Sequence, residues 1–158
     1  MAVDFYLKLD SVTGEAADSN HKNEIQLHSF SWGGHQTTSV AGTGGSGAGK
    51  VDLADFSVMK HLDKATTPIF KALVSGTHIK TGNLIAVKAG AGGKPFLKID
   101  FKELFVTSQQ VSASTEIPTE SVSFSYNEIK IEYSTQNEQG IVTTTGAVTY
   151  NLKENKTS

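Results

Sequence analysis

The sequence contains no cysteine, and all 14 of its basic residues other than histidine are lysines rather than arginines. Without cysteine the chain can form no disulfide, thiolate zinc site or cysteine nucleophile. Without arginine it lacks the planar donor fork that binds phosphates, guanine edges and carboxylates through two parallel hydrogen bonds. The formal net charge of −2 also excludes the basic surface that is typical of nucleic-acid-binding proteins. We therefore expect no nucleic-acid partner.

Long hydrophobic runs are also absent. The longest uninterrupted aliphatic run covers residues 84–87, whereas a membrane-spanning helix needs about 20 apolar residues. The first ten residues include Asp4 and Lys8, and they lack the basic start and apolar centre of a secretory signal peptide. We therefore expect that the chain does not insert into a membrane and that it folds in the cytoplasm. Any export is expected to proceed without a cleaved signal peptide.

The length and composition predict one globular domain over residues 1–158. Hydrophobic residues make up 37% of the chain and charged residues 19%, which is enough apolar material for a core and too little charge for a disordered chain. A chain of this length buries roughly 70% of the surface that it exposes when unfolded. One substantial core is therefore expected.

Period-two alternation of apolar residues dominates the sequence and predicts a mainly β fold. It begins at residues 3–9, and further strands are predicted at residues 84–88, 96–106 and 142–152, with turns at residues 82–83, 90–93 and 137–140. The alternation changes phase within residues 25–32, 51–58 and 122–133. Each phase change predicts a bulge that bends a strand, as closing a barrel or folding a two-sheet sandwich requires.

One short α-helix is predicted at about residues 67–75. Thr66 or Thr67 can cap its start, Pro68 suits the first turn, and Gly76 follows its end. Because two turns of helix are not stable alone in water, this helix is expected to dock on the sheet or on a neighbouring molecule.

The glycine-rich segment ending at Lys50 resembles a phosphate-binding loop but fails on context. Val51 follows Lys50 where a magnesium-binding hydroxyl would be needed, and the next residues alternate like a strand instead of starting a helix. We expect an extended glycine-rich loop at about residues 38–50, which is either disordered or ordered by another subunit. Its candidate contact residues are Gly42, Gly44, Gly45, Ser46, Gly47, Gly49 and Lys50.

No catalytic or metal-binding pattern stands out, so no enzyme activity, cofactor or metal is expected. His21, His28 and His35 are seven residues apart, which is neither the i, i+4 spacing of metal ligands on a helix nor the even spacing that keeps residues on one strand face. The chain has no G-x-S-x-G motif. Glu116 and Glu120 are expected in a loop near Pro118, away from any apolar surroundings that would raise a carboxyl pKa.

Serines alternate with apolar residues at the start of the last predicted phase change. Ser121, Ser123 and Ser125 share one strand face, which is therefore polar, short and uncharged. Such a face is either an ordinary solvated surface or a smooth wall past which another protein can slide. The sequence leaves both interpretations open.

Four segments together resemble the Hcp family, the haemolysin-coregulated proteins of type VI secretion. Residues 9–33 (LDSVTGEAADSNHKNEIQLHSFSWG) and 51–79 (VDLADFSVMKHLDKATTPIFKALVSGTHI) match its first two signatures in order. Residues 96–110 (FLKIDFKELFVTSQQ) and 118–133 (PTESVSFSYNEIKIEY) are similar to the third. The resemblance extends over roughly residues 3–152.

The resemblance implies a two-sheet β-barrel with one helix on its side, and a structural protein that assembles with itself. In that family, hexameric rings stack into a tube inside a contractile sheath and beneath a spike protein, and the tube carries small effector proteins and is secreted. If this chain is such a tube subunit, the glycine-rich loop would be our candidate ring-stacking element. The candidate lumen-facing residues would be Ser112, Ser114, Ser121, Ser123 and Ser125. The alternative from a different class is a monomeric ligand-binding β-barrel.

Overall fold

A computed structural model describes residues 2–39, 47–88 and 93–158 of the chain, which form a mainly β fold with one short helix, as predicted. The elements are β1 Val3–Leu9, β2 Ile25–Leu27, β3 Ser29–Ser31, β4 Gly34–Ser39, β5 Gly47–Leu53, β6 Phe56–His61, α1 Thr66–Ser75, β7 Ile79–Lys88, β8 Pro95–Ser112, β9 Thr119–Gln136, β10 Val142–Asn151 and β11 Lys156–Thr157. Among the described residues, no helix is long and apolar enough to cross a membrane.

Nine of these strands form one antiparallel sheet, and β4 and β5 form a separate two-stranded sheet. The main path through the large sheet runs β11-β10-β9-β8-β7-β1-β2, while β6 pairs with β9 and β3 pairs with β6. Within the described residues the two end strands, β2 and β11, do not pair with each other. The sheet is therefore bent but open, and the two sheets do not close into the barrel that the resemblance implies.

The long hairpin of β8 and β9 bends the large sheet at one level. Leu104 pairs with Tyr126 and Lys102 pairs with Glu128, so Glu103 and Asn127 face each other without changing the register. Glu103 has a φ of 54°, which is the left-handed region. Because both strands lose one step of alternation together, the phase change within residues 122–133 lies inside a continuous strand, but without the register shift of the bulge that it predicted.

The bend divides the large sheet into two lobes that enclose the core. The wide lobe contains β2, β1, β7, residues 95–104 of β8, residues 127–136 of β9, β10 and β11. The narrow lobe contains β3, β6, residues 119–126 of β9 and residues 105–112 of β8. Phe56 of the narrow lobe and Phe101 of the wide lobe lie 4.8 Å apart between ring centroids, and both are almost fully buried. The interior is therefore filled by packed aromatic side chains.

The other two phase changes mark the ends of strands instead of bulges. The first is a break at His28, where the chain passes from β2 in the wide lobe to β3 in the narrow lobe. The second is a break at residues 54–55, where the chain leaves the two-stranded sheet and enters β6. In both places a change of sheet partner reverses the inward-facing side of the chain, and periodicity alone does not distinguish this from a bulge.

Two sequence predictions of local structure were wrong because neighbouring elements were not visible in the sequence. Gly82 and Asn83 do not form a turn but lie inside β7. The glycine is needed there for close packing, because a Cβ atom on Gly82 would come within 3.1 Å of a methyl group of Leu9. The alternation within residues 3–9 places Tyr6 on the face of β1 opposite the apolar Phe5 and Leu7, where exposure is expected, yet Tyr6 is buried and stacks on His21 at 4.4 Å. The loop that carries His21 covers this part of the sheet.

The helix begins one residue earlier than predicted and ends as predicted. Ala65 occupies the cap position without a side-chain hydrogen bond, so neither Thr66 nor Thr67 is the N-cap. Gly76 ends the helix in the left-handed conformation, with a φ of 66°. Ile69 is the buried helix residue, which confirms that the helix docks on the sheet.

A buried ion pair fixes the helix start to the narrow lobe. Lys60 on β6 and Glu120 on β9 face the core, are fully buried and contact each other. Lys60 Nζ also lies 2.8 Å from Asp63 Oδ1. The Thr66 hydroxyl donates to Glu120 Oε1 at 2.9 Å, and Gln109 Nε2 donates to Glu120 Oε2 at 2.7 Å. The expectation that Glu120 lies in a loop was therefore wrong: it is a core residue with a full set of polar partners.

Candidate functional site

A row of four serines crosses the outer face of the narrow lobe. Ser31 pairs with Ser57, Ser57 pairs with Ser123, and Ser123 pairs with Ser108, so the row covers β3, β6, β9 and β8. Ser57 and Ser123 are joined by a hydrogen bond of 2.8 Å between their hydroxyl groups. Because inward-facing neighbours such as Phe124 fill the core, the serine hydroxyls must face outward.

The next row on this face is also free of formal charge. Ser29, Met59, Ser121 and Gln110 face one another in register across the same four strands. Together the two rows form what we call the serine face: Ser29, Ser31, Ser57, Met59, Ser108, Gln110, Ser121 and Ser123. Its side chains carry no formal charge, so a protein lying against it would meet no ion pairs, and Met59 is its one large apolar side chain.

The outer face of the wide lobe has a different chemistry. The corresponding row there contains Lys8, Asn83, Asp100, Lys130 and Thr149 in register across five strands. These side chains line a cleft of about 730 Å³ together with further charged residues of the same face. Charges of both signs are interspersed, as on an ordinary solvated protein surface. The absence of charge on the serine face is thus a local property of the narrow lobe.

The narrow lobe has an open strand edge on each side. β3 pairs with β6 on one side only, and residues 105–112 of β8 pair with β9 on one side only, as far as the described chain shows. Unpaired backbone N–H and C=O groups at such edges can pair with the strands of another chain. Since β3 and this part of β8 would be antiparallel to each other, a second copy placed beside the first could continue the sheet.

The serine residues predicted from the sequence divide between this face and its surroundings. Ser121 and Ser123 belong to the serine face, and Ser125 continues it opposite Phe105. Ser112 is the exposed last residue of β8, and its hydroxyl lies 3.3 Å from that of Thr119. Ser114 lies in the exposed connection that follows. Ser112 and Ser114 are therefore at the end of the narrow lobe instead of on its serine rows.

The sequence analysis missed three members of the serine row, although a signal was present. Ser31 and Ser57 alternate with the aromatic residues Phe30 and Phe56 in the same way that Ser123 alternates with Phe124. Ser108 was hidden because the register of β8 and β9 shifts between Val106 and Ser108. The first inward-facing residue after this bulge is the polar Gln109, so the apolar alternation does not show the change of phase there.

The predicted glycine-rich loop is partly a β-hairpin. β4 pairs with β5 from Gly34 opposite Leu53 to Ser39 opposite Gly47, so Gly47, Gly49 and Lys50 lie in a strand. The side-chain amide of Gln36 supports the hairpin by donating to the carbonyl oxygen of Gly49 at 2.9 Å. The other candidates, Gly42, Gly44, Gly45 and Ser46, lie outside the described residues.

The candidate metal ligands are the histidine and carboxylate side chains in residues 2–39, 47–88 and 93–158. There, no group of three or more histidine and carboxylate side chains has an arrangement that could hold a metal ion. His35 lies on the β4–β5 hairpin, with its Nε2 atom 3.6 Å from Asp52 Oδ2, and both side chains are about three-quarters exposed. Burial raises the pKa of the Tyr126 phenol to about 12. Its hydroxyl donates to the carbonyl oxygen of Ala54 at 3.0 Å, which is a structural role.

Comparison with known proteins decides what the fold belongs to. The family model described as "Type VI secretion system effector, Hcp" matches residues 6–133. This chain belongs to the Hcp family. It is 35% identical over 143 residues to the protein hcp1 of Pseudomonas aeruginosa, covering 89% of this chain and 88% of that protein.

Solved structures agree with this Hcp assignment. A structure described as that of a type six secretion system protein superimposes with a TM-score of 0.93 at 30% identity and covers 99% of this chain and 100% of the other. Hcp1 from Salmonella typhimurium has a TM-score of 0.79 at 30% identity, with coverage of 99% and 100%. The resemblance inferred from four sequence segments is thereby confirmed over the whole chain.

Proposed function

We propose that this Hcp-family chain is a structural tube subunit of a type VI secretion system. Six copies form a ring, rings stack into a tube, and the tube is expelled from the cell. The contractile sheath and the spike protein are its expected machine partners, and small effector proteins are its expected cargo. The observation that supports this most directly is the narrow lobe, which combines an uncharged serine face with two open strand edges.

The open edges provide a physical reason for a head-to-tail ring. Such an assembly uses two different patches on each subunit, here the outer edges of β3 and of residues 105–112 of β8. Repeating the contact would join the narrow lobes into one continuous sheet and remove edges that otherwise favour aggregation. The serine faces would then lie side by side and line a common channel. Packed core residues such as Phe56 and Phe124 fill the space in which a monomeric binder would hold its ligand.

The absence of cysteine makes a cross-linking test of this ring direct. Ser31→Cys labels the β3 edge and Ser108→Cys labels the β8 edge. With a short bismaleimide linker, the double variant should give covalent ladders up to six chains on a denaturing gel. Each single variant should stay monomeric, because a head-to-tail contact never brings identical edges together. Equal cross-linking of the single variants would contradict the proposal.

The mass in solution provides an independent check. A six-membered ring of 16.8 kDa subunits has a mass of about 100 kDa, which size-exclusion chromatography with light scattering measures directly. A particle that stays at the mass of one chain at all accessible concentrations would contradict the ring. The solitary particle would instead favour the monomeric alternative.

The β4–β5 hairpin is our candidate for the contact between stacked rings. It is a separate two-stranded sheet, so it can be shortened without removing a strand from the core-forming sheet. Because Ser39 pairs with Gly47, replacing residues 40–46 with an Asn-Gly turn should preserve the hairpin register. We expect rings of unchanged mass that form shorter tubes by electron microscopy. Tubes of unchanged length would contradict this role.

The serine face is our candidate for the lumen surface that holds effectors. Ser123→Lys places a long charged side chain in the middle of the serine row and should lower the amount of effector that co-purifies with the ring. Thr149→Lys on the charged face of the wide lobe is the matched control and should leave it unchanged. Ring mass should be the same for both variants. Equal effector recovery from both rings would contradict the placement.

A further inference from the structure

Two histidines from different strands lie in direct contact at the junction of the two lobes. His28 lies at the break between β2 and β3, and His61 is the last residue of β6. Their ring centroids are 4.1 Å apart and the ring planes are perpendicular, at 89°. Both side chains are exposed to solvent. The spacing argument from the sequence could not detect this pair, because it compared histidines only along the chain.

The backbone holds the two side chains together. The N–H group of His28 donates to the carbonyl oxygen of Met59 at 2.7 Å, which ties the β2–β3 break to β6. The next residue of that segment, Ser29, pairs in register with Met59. The pair of imidazoles therefore results from the sheet structure and does not depend on a chance meeting of two surface rotamers.

Two neighbouring imidazoles are a ligand set that divalent transition metals prefer. Zinc–nitrogen bonds are about 2.0–2.1 Å long, so two nitrogens at a tetrahedral metal lie about 3.3 Å apart. Rings with centroids 4.1 Å apart reach this separation by side-chain rotation alone, and exposure leaves both side chains free to rotate. Imidazole binds Zn²⁺, Ni²⁺ and Cu²⁺, with Cu²⁺ bound most tightly in general.

Two carboxylates lie in the surroundings of the pair, but they complete no group of three protein ligands. His28 and His61 line a cleft of about 350 Å³ that also contains the carboxylates of Glu15 and Asp63. Asp63 Oδ1 is already occupied, since it accepts from the Ala65 N–H at 2.8 Å and lies 2.8 Å from Lys60 Nζ. The two imidazoles are therefore the protein ligands of such an ion, and water completes the coordination.

We propose that His28 and His61 form a surface site for one divalent transition-metal ion per chain. The site holds the ion through two imidazole nitrogens, with water in the remaining coordination positions. It goes beyond the proposed tube function and does not depend on it. It also revises the expectation from the sequence that the chain binds no metal.

Isothermal titration of the full-length, tag-free protein with Cu²⁺ and then Zn²⁺ tests this site. We expect one ion per chain, with Cu²⁺ bound more tightly than Zn²⁺. His28→Asn and His61→Asn should each weaken binding about tenfold or more, and the double variant should abolish it. His35→Asn is the matched control, because that histidine is also exposed beside a carboxylate but has no imidazole partner in the described structure.

The outcomes divide clearly. Loss of affinity in the His28 and His61 variants, with the control unchanged, supports the site. Absence of binding to the wild-type protein, or a loss of the same size in the His35 variant, overturns it. Circular dichroism on all variants checks that they are folded, and the exposure of all three side chains makes misfolding an unlikely source of error. Ring mass and tube length provide a separate readout, so failure of the metal site leaves the tube proposal standing.

Discussion

Replacing Lys60 by methionine should destabilise the fold far more than any surface charge replacement. The substitution keeps the length of the side chain but leaves Glu120, which is 1% exposed, as a buried carboxylate without its cation. Removing one partner of a buried ion pair costs about 3–5 kcal/mol. For a chain of this length each kcal/mol lowers the melting temperature by roughly 2–4 °C, so we expect a drop of about 6–20 °C.

The size of this effect is specific to the pairing, which a double variant can show. In Lys60→Met/Glu120→Leu the fully buried carboxylate is also removed, and the hydrogen-bonding groups around it keep other partners. Asp63, whose side chain is 11% exposed, still accepts from the Ala65 N–H at 2.8 Å. The Thr66 hydroxyl still accepts from the Asp63 N–H at 3.0 Å, and Gln109 Nε2 still donates to the Thr66 carbonyl oxygen at 3.2 Å. Replacing a buried pair by apolar residues is often neutral or stabilising. We therefore expect the double variant to lie within about 1 kcal/mol of the wild type.

Urea unfolding followed by circular dichroism gives these free energies. All proteins must be compared at one concentration, because assembly raises apparent stability by mass action. Lys102→Met is the matched control: its amine lies 3.0 Å from Glu128, but the lysine side chain is 68% exposed, so the cost should stay below about 1 kcal/mol. The reasoning is refuted if Lys60→Met costs no more than Lys102→Met, or if the double variant is as unstable as the single one.

Two further predictions concern Tyr126 and Gly76. Burial raises the pKa of Tyr126 to about 12, so its neutral phenol stabilises the fold up to pH 10, and this contribution should be lost as the pH rises from 10 to 12. In Tyr126→Phe the free energy of unfolding should decline less over that pH range. An equal decline in the variant would rule out Tyr126 as the source. Gly76 ends the helix at a φ of 66° with open space around it, so Gly76→Ala should cost about 1 kcal/mol of stability through backbone strain alone. Gly146 has neither a positive φ nor a close neighbour, so Gly146→Ala is the control and should change stability by less than about 0.5 kcal/mol in the same urea assay.

The alternation of apolar residues also contains a sign of the buried pair of Lys60 and Glu120. Lys60 follows Phe56 and Val58 at the same two-residue spacing, and Glu120 precedes Val122 and Phe124 at that spacing. A charged residue in phase with a buried face is either exposed by a strand end or paired inside the core. Two such residues of opposite sign, on strands that pair with each other, favour the second outcome. The pairing of β6 with β9 is the long-range fact that the sequence does not contain.

Long-range contacts also explain why a turn was wrongly predicted at Gly82 and Asn83 and why the open sheet was not predicted. Gly82 with Asn83 has the composition of a turn, but its lack of a Cβ serves the close approach of Leu9 and Leu104 from the strands on either side. Strand bending could be predicted from the phase changes, whereas which strands end without a partner could not. Edge pairing is decided by the order of strands in space, and that order follows from the whole chain.

The paired irregularity at Glu103 and Asn127 explains how one hairpin can carry two unlike surfaces. Before the bend, even-numbered residues of β9 such as Phe124 face the core; after it, odd-numbered residues such as Ile129 do. Ser123 and Lys130 consequently both point outward, but from opposite lobes. Because β8 changes phase at the same level, the register survives and the change costs no strand pairing beyond one position. A single shared irregularity thus separates the uncharged serine face from the charged face of the wide lobe, and a ring built through the narrow-lobe edges would turn the first toward a channel and leave the second outside it.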